Sequence, residues 1–310
     1  IQSGVLPEAV DEVIMGVVLP AAMGQAPARQ ASFGAGIPSD KSSTTINKMC
    51  GSGMKAAMFA YDALMARSCN VMIAGGMESM SNAPYIMLKA RNGFRMGHNK
   101  IYDHMFIDGL EDAYDKGKLM GSFAEDTANH YQFTRDSQDD FAIESLSRAK
   151  EAIENGSFDG EVESVNFCNS DGKVTVSKDE QPLKANVEKI RRLRPAFSKD
   201  GTVTAANSSS ISDGAAALVM MRLSEAEKRG HKPLVIIKGH STHSQAPELF
   251  TTAPINAIKK LLERVQWSKG EVDLFEINEA FAVVTMAAMR DLDIPHDIVN
   301  VHGGACALGH

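Results

Sequence analysis

One cysteine lies in a sequence context that suits a nucleophile. Residues 44–55 read TTINKMCGSGMK, so that a predicted strand ends, Cys50 follows, and two glycines precede a predicted helix. A thiol at a helix N-terminus meets unpaired N–H groups and the positive end of the helix dipole, which favour a thiolate. The glycines leave room for a substrate, and the backbone N–H of Cys50 could stabilise an oxyanion. Cys50 is therefore the candidate nucleophile.

Local sequence allows two other interpretations of this segment, a buried structural cysteine and, less well, a phosphate-binding loop. A lone cysteine is more often a buried structural residue than a reactive one. A phosphate-binding loop is the weaker alternative, because GSGMK lacks the Gly-Lys-Ser/Thr ending and the spacing of that motif.

Three further segments place polar residues beside apolar elements. In EINEAFA, Asn278 could cap a helix or hold a water or a substrate oxygen. In VHGGACALGH, His310 could act as a base or an oxyanion donor, although a lone histidine is more often structural, and His302 and Cys306 compete for the assignment. Residues 201–214 form a run of small polar residues that, taken alone, predicts a loop and a helix cap.

Strands and helices alternate around these segments, which predicts an α/β fold with largely buried strands. The stretch from about residue 80 to 206 is richer in charge and is interpreted as an inserted, loop-rich subdomain. The predicted strands are Glu12–Leu19, Thr44–Asn47, Asn70–Ala74, Leu234–Lys238, Val272–Ile277 and Ile298–His302. The predicted helices are Met54–Arg67, Asp136–Asn155 with Gly156 as its C-cap, Asn256–Val265 and Ala280–Leu292.

Composition narrows the class of protein. The 310 residues are 44% hydrophobic, enough for a large core, and carry a formal net charge of −7, which argues against nucleic-acid binding. No apolar run is long enough to span a bilayer, so no membrane partner is expected. Four cysteines without CxxC spacing predict free thiols in a reducing compartment and no metal site.

Taken together and in order, the segments around Cys50, Asn278 and His310 resemble the thiolase family. NKMCGSGMKA is similar to the family's nucleophile segment, INEAFA to its Asn-Glu-Ala-Phe motif, and NVHGGACALGH to its Gly-Gly…Gly-His segment. GTVTAANSSSISDGAAA is similar to its loop on the coenzyme A side, and the resemblance runs along the whole chain. It implies an α/β thiolase fold: two similar halves stacked as five layers, α-β-α-β-α, with an inserted loop domain. The expected division is 1–80 with 205–230 for the first half, 81–204 for the loop domain, and 231–310 for an incomplete second half.

The resemblance implies a reaction and a role for each site residue. Cys50 would attack the 3-keto carbon of a 3-ketoacyl-CoA and carry the acyl group, and the reverse direction would condense two acetyl-CoA into acetoacetyl-CoA. His310 would help activate Cys50 and hold a thioester oxygen, and Asn278 would hold a water in that oxyanion site. Ser209 would contact the pantetheine arm of coenzyme A. The other positions that match the lining of the coenzyme A tunnel are Leu110, Met120, Phe197, Ala205, Ala280 and Phe281.

Further expectations follow from the family. Coenzyme A would be a co-substrate with no permanently bound cofactor, and the protein would be a homodimer or homotetramer. The family's first strand and helix and its second catalytic cysteine, in a Cys-x-Gly segment, have no counterpart in this sequence. Leu119 stands where some acetoacetyl-CoA-forming members carry histidine, which leaves the preferred acyl length open. The expected location is the cytoplasm, with the mitochondrial matrix as an alternative because the sequence does not begin with methionine.

Two competing functions stay open on sequence. A ketoacyl synthase shares the cysteine nucleophile but typically uses two histidines, and the Asn-Glu-Ala-Phe segment argues against it. The alternative of another class is a non-catalytic protein that binds coenzyme A or acyl groups on the thiolase fold.

Overall fold

The computed structural model describes residues 3–169 and 172–310. The chain forms two compact units. The first unit comprises Ile1–Gly117 and Ser212–His240, and the second comprises Lys118–Ile211 and Ser241–His310. The division predicted from the family resemblance, with a loop domain at 81–204, stays a prediction.

A four-stranded sheet with the order β2-β1-β3-β8 is the centre of the first unit. Strand β1 pairs in parallel with both of its neighbours, and β3 pairs antiparallel with β8. Its strands are β1 (Glu12–Gly16), β2 (Ser42–Ile46), β3 (Val71–Ser79) and β8 (Asp213–Met221), and a small hairpin adds β4 (Tyr85–Ile86) and β5 (Tyr102–Asp103). The helices are α1 (Pro27–Gly34), α2 (Ser52–Met65) and α7 (Leu223–Arg229).

Helix α2 covers the sheet because its small and apolar residues recur at helical spacing. Ala56, Ala60 and Leu64 are buried and pack on Ile14 and Met72 of the sheet. Such a face stabilises the unit by roughly 2–5 kcal/mol for each large side chain that truncation to alanine would remove. The predicted helix Met54–Arg67 is confirmed with a two-residue shift toward its N-terminus.

The second unit is mainly helical. Helix α4 buries Phe141, Leu146 and Ala149, and its predicted range differs from the observed one by a single residue at each end, with Gly156 at φ 78° just beyond it. Its α-helices are α3 (Met120–Tyr131), α4 (Arg135–Glu154), α5 (Glu180–Lys184), α6 (Val187–Ile190), α8 (Ala253–Val265), α9 (Ala282–Leu292) and α10 (Ala305–Leu308). A hairpin contributes β6 (Val165–Asn169) and β7 (Gly172–Val176).

Three strand predictions for the last third of the chain are wrong or reduced. No strand forms at 234–238, and Leu234 is fully exposed. The apolar run predicted a strand, but a strand also needs a hydrogen-bonded partner, and none of the described residues pairs with this segment. The segments 272–277 and 298–302 form no strand and are joined by the isolated parallel bridge between Phe275 and Val299 and by hydrogen bonds between Ile277 and the Asn300 side chain. Among the described helices, none has the length and apolarity needed to cross a bilayer.

Candidate functional site

Cys50 sits on a tight turn between β2 and α2 in the first unit. Met49 adopts φ 48°, a left-handed conformation that side chains other than glycine rarely take. The turn is fixed by Ser52, whose hydroxyl donates to the Met49 carbonyl (2.6 Å) and accepts from the Lys48 N–H (2.8 Å). Cys50 stays exposed on this turn. The geometry therefore presents the thiol immediately before the first turn of a helix, as the sequence predicts.

The start of α2 lies against the sheet because two glycines allow a close approach. A Cβ on Gly16 would lie 2.5 Å from the Ser52 Cβ, which no side chain tolerates. A Cβ on Gly76 would lie 3.3 Å from the Gly53 Cα. Backbone packing at this distance holds the turn that carries Cys50 in one position.

The pKa of the Cys50 thiol differs from the sequence expectation. Desolvation by the surrounding protein raises the pKa of Cys50 above its ordinary 9.0, the backbone N–H of Cys50 lowers it, and the nearby Glu78 carboxylate raises it further. The net direction is upward, so at neutral pH the free thiol keeps its proton. The thiolate-favouring effect expected from the helix N-terminus is therefore outweighed, and attack by Cys50 requires a base, the role that the resemblance implies for His310.

Leu110 also belongs to the first unit, at the end of a π-helical turn, Phe106–Leu110. His104 anchors this turn: its Nδ1 lies 2.7 Å from an Asp108 carboxylate oxygen, and the histidine is 5% exposed. Leu110 is half-buried there. The turn therefore has a fixed conformation although its sequence shows no helical period.

Ser209 and His310 form a pair in the second unit. The His310 Nδ1 lies 2.7 Å from the Ser209 Oγ, and the Ser209 N–H donates to the Ala280 carbonyl (3.0 Å). Desolvation lowers the pKa of His310 below its ordinary 6.5, so the ring is neutral at pH 7 and can accept a proton. The structure thus places three predicted residues, Ser209, Ala280 and His310, beside one another.

Four predicted lining residues share one apolar cluster in the same unit. The Phe197 and Phe281 rings meet edge to face, with centroids 6.1 Å apart, and Met120 and Ala280 pack in the same cluster. Asn278 and Ala205 are exposed, each on a loop of the same unit. Of the ten predicted site residues, Cys50 and Leu110 belong to the first unit and the other eight to the second.

Buried polar side chains hold the loop that carries Ala205 and Ser209. Glu125, 8% exposed, accepts from the backbone N–H groups of Thr202 and Val203 at 2.9–3.0 Å. Asn207 is fully buried; its Oδ1 accepts from the Thr204 N–H (2.7 Å) and its Nδ2 donates to the Asp139 carboxylate (3.0 Å). A loop of small polar residues thereby acquires a single conformation.

Sequence reasoning missed a buried carboxylate, Glu279. It is fully buried and accepts hydrogen bonds from Ser145, Asn300 and the Cys306 N–H. The available signal was an ionisable residue inside the apolar run IleAsnGluAlaPheAla, where solvent exposure is not expected. Among the described residues, no group of three or more His, Cys, Asp or Glu is arranged to hold a metal ion.

Comparison with known proteins assigns the chain to a family. The family model "Thiolase, N-terminal domain" matches residues 1–224, and "Thiolase, C-terminal domain" matches residues 231–310. The chain belongs to the thiolase family. It carries the thiolase α/β fold, and it is an enzyme of the acyltransferase class.

Individual relatives agree with this family assignment. A probable acetyl-CoA acetyltransferase of Dictyostelium discoideum is 47% identical over the whole chain and 75% of its own length. Acetyl-CoA acetyltransferase 2 of Arabidopsis thaliana is 48% identical over the whole chain and 77% of its own length. The crystal structure of an Ascaris suum thiolase in complex with coenzyme A matches with a TM-score of 0.93 at 38% identity, over 99% of this thiolase and 78% of that chain.

Proposed function

We propose that this thiolase transfers acyl groups between coenzyme A and carbon through an acyl-Cys50 intermediate. The substrates would be two acetyl-CoA on one side and acetoacetyl-CoA with free coenzyme A on the other, or a longer 3-ketoacyl-CoA. The observation that carries the proposal is the exposed Cys50 thiol on a strained turn at the start of α2. The printed names of the relatives, acetyl-CoA acetyltransferases at 47–48% identity, support this substrate class.

In cleavage, the Cys50 sulfur attacks the C3 carbonyl of the 3-ketoacyl-CoA and the C2–C3 bond breaks. The electron pair leaves with C2 as the enolate of acetyl-CoA, which takes up a proton, and the acyl group stays on Cys50 as a thioester. Free coenzyme A then attacks that thioester, releases acyl-CoA and restores the thiol. Each step needs oxyanion donors, since negative charge develops first on the C3 oxygen and then on the enolate oxygen.

The proposed roles of the other residues follow from their chemistry. His310, neutral at pH 7, takes the proton that the raised pKa leaves on Cys50. Its Nδ1 is held by Ser209, which leaves Nε2 for this transfer and for the thioester oxygen. Asn278, exposed on its loop, holds a water at the enolate oxygen. Loss of one oxyanion donor typically slows a reaction about 10²–10³-fold.

Coenzyme A would act as a co-substrate, and its arm would lie along Ser209, Leu110, Met120, Phe197, Ala205, Ala280 and Phe281. Support comes from the apolar cluster around Phe281 and from the Ascaris suum relative, whose crystal structure contains coenzyme A. A homodimer or homotetramer in the cytoplasm or mitochondrial matrix completes the proposal, on family resemblance alone. Light scattering on the purified chain tests the oligomeric state.

Two assays test the proposal with different demands on the enzyme. The first follows thiolysis of acetoacetyl-CoA by coenzyme A. The second follows exchange of the acetyl group between acetyl-CoA and isotopically labelled coenzyme A. This exchange needs only the acyl-Cys50 intermediate and breaks no carbon–carbon bond. Cys50→Ala should lose both activities by more than about 10³-fold. Cys168→Ala, at an exposed cysteine on β6, should stay within about twofold.

The outcome separates the competing functions. If the wild type exchanges the acetyl group but does not cleave acetoacetyl-CoA, Cys50 is still the acyl carrier and the proposed carbon–carbon bond cleavage is refuted. Tight coenzyme A binding with neither activity, unchanged in Cys50→Ala, would favour the non-catalytic binding protein. Turnover of a malonyl thioester in place of acetoacetyl-CoA would favour a ketoacyl synthase.

A further inference from the structure

Glu279 is a buried carboxylate between two site residues. Its neighbours in sequence are Asn278 and Ala280, and it is fully buried. No ion pair among the described residues includes it. A charge removed from water without a cation has a large desolvation penalty, so its neutral donors must compensate.

Three donors surround this carboxylate. Oε2 accepts from the Ser145 hydroxyl (2.7 Å) and from the Cys306 N–H (3.0 Å), and Oε1 accepts from the Asn300 Nδ2 (2.8 Å). Ser145 in turn accepts from the Gly304 N–H at 2.9 Å. Glu279 therefore bonds to Asn300, where the turn that leads into α10 begins, and to Cys306, where it ends.

The donor set accepts a carboxylate and rejects an amide. The Asn300 amide cannot flip, because its Oδ1 accepts from the Ile277 N–H and its Nδ2 donates to the Ile277 carbonyl, both at 2.8 Å. A glutamine at 279 would offer one oxygen and one NH₂ group. In either orientation the NH₂ would face a donor that cannot turn away: Asn300 Nδ2 on one side, or the Cys306 N–H on the other.

A closed ring of contacts connects this carboxylate to His310. From Cys306 the chain runs through α10 and Gly309 to His310, whose Nδ1 pairs with the Ser209 Oγ. The Ser209 N–H returns to the Ala280 carbonyl, the residue next to Glu279. The Glu279 carboxylate therefore holds the Cys306 end of the segment that carries His310, and the residue next to Glu279 holds Ser209 at the other end.

We propose that Glu279 is a positioning residue that sets the place of His310, acting through Ser145, Asn300 and the Cys306 N–H. The inference rests on the proposed function, in which His310 transfers the proton of Cys50. Glu279 itself does not touch the reacting atoms. A displacement of about 1 Å at a reacting group can slow a reaction about 10²-fold, so a small shift of this turn is sufficient.

The test compares Glu279→Gln and Ser145→Ala with Glu125→Gln in the full chain. Glu125→Gln is the matched control, a buried carboxylate of the same unit that holds the 202–209 loop and acts on His310 only through Ser209 on that loop. Intact sites are counted by alkylation of Cys50, and kcat and KM for acetoacetyl-CoA are measured per intact site. We expect kcat to fall about ten- to a hundredfold in Glu279→Gln and less in Ser145→Ala, with KM within about threefold. In Glu125→Gln, KM should rise and kcat should change less.

A readout independent of activity accompanies the kinetics. The His310 ring is titrated by NMR in wild type, Glu279→Gln and Glu125→Gln. If Glu279→Gln releases the ring to water, the pKa of His310 should rise toward the ordinary 6.5. An unchanged titration together with wild-type kcat in both Glu279→Gln and Ser145→Ala would overturn the inference. So would an equal fall of kcat in Glu125→Gln with an unchanged His310 titration in that variant, since that would indicate general loosening. An inactive wild type would refute the proposed function alone, because the NMR comparison would still decide whether Glu279 positions His310.

Discussion

Gly304 offers the most direct structural test of the buried carboxylate. A Cβ built on Gly304 would lie 2.4 Å from the carboxyl carbon of Glu279 and 2.5–2.7 Å from its two oxygens. The Gly304 backbone, at φ −148°, suits any residue, so the clash alone determines the effect of Gly304→Ala. Carbon atoms need a separation of about 3.5–4.0 Å, so the carboxylate must retreat by about 1 Å or more.

The expected loss of stability follows from that retreat. A shift of this size breaks or weakens three hydrogen bonds to a charged group, each worth about 1.5–3 kcal/mol. Partial relaxation of the turn recovers some of this, so Gly304→Ala should lower the free energy of unfolding by about 3–5 kcal/mol. Gly270→Ala is the matched control, because its Cβ meets nothing within 4 Å and its φ is not positive, and it should change stability by less than about 0.5 kcal/mol.

The assay is urea unfolding followed by circular dichroism, completed as a double-mutant cycle with Glu279→Ala. If the carboxylate is the obstacle, Gly304→Ala should cost less than about 1 kcal/mol once Glu279 has been truncated, which gives a coupling of at least about 2 kcal/mol. A Gly304→Ala protein within about 1 kcal/mol of wild type, or strictly additive variants, would refute the reasoning.

Three further perturbations have defined outcomes. Asp139→Ala should lower the free energy of unfolding in urea by about 3–5 kcal/mol, because the buried Asp139 carboxylate pairs with the Arg135 guanidinium and the buried Asn207 amide. Asp136→Ala is the control on the same helix; its side chain is 86% exposed, and the loss should be less than about 0.5 kcal/mol. Equal losses in the two variants would contradict the account. The rate of Cys50 alkylation should rise with pH and reach half its maximum above pH 9.0, because the pKa of the thiol is raised. Glu78→Gln removes a nearby negative charge and should lower that midpoint. A wild-type midpoint below pH 9.0 would contradict the raised pKa and show that the helix N-terminus dominates. Burial and a hydrogen bond to the Asp291 carboxylate raise the pKa of Tyr131 to about 12, so the protonated phenol stabilises the fold fully below pH 10.0 and less as pH rises toward 12. Tyr131→Phe should remove the absorbance change of tyrosinate formation near pH 12. An absorbance change that persists in the variant would contradict this.

Features that depend on neighbouring residues were predictable from the sequence. Helices α2 and α4 were located within two residues because their apolar residues recur at a period of 3.6. The C-cap of α4 is Asn155 and not the predicted Gly156, which follows it with a positive φ. The turn that carries Cys50 was also predictable, since a strand, a cysteine and two glycines lie within a few residues. Its position against the sheet also depends on Gly16 and Gly76, which lie outside this local segment.

Features that depend on distant residues were not predictable. The Ser145–Glu279 bond joins residues 134 apart, so no local pattern could reveal the carboxylate's partners. The pKa of Cys50 rises because of desolvation by the surrounding protein and the Glu78 carboxylate on β3, which outweigh the lowering by the Cys50 backbone N–H. The apolar run at 234–238 satisfied the local pattern of a strand but lacked a partner among the described residues. Pairing, burial and charge proximity are properties of the folded chain.

The central claim is that Cys50 carries the acyl group. Incubation with acetyl-CoA, followed by proteolysis and peptide mass mapping, tests it without any assumption about the carbon–carbon step. The account predicts one acetyl group on the peptide that contains Cys50, none on the peptide that contains the exposed Cys168, and release of the label by free coenzyme A. A folded protein with no acetyl on Cys50, or with the acetyl group on another residue, would contradict the account.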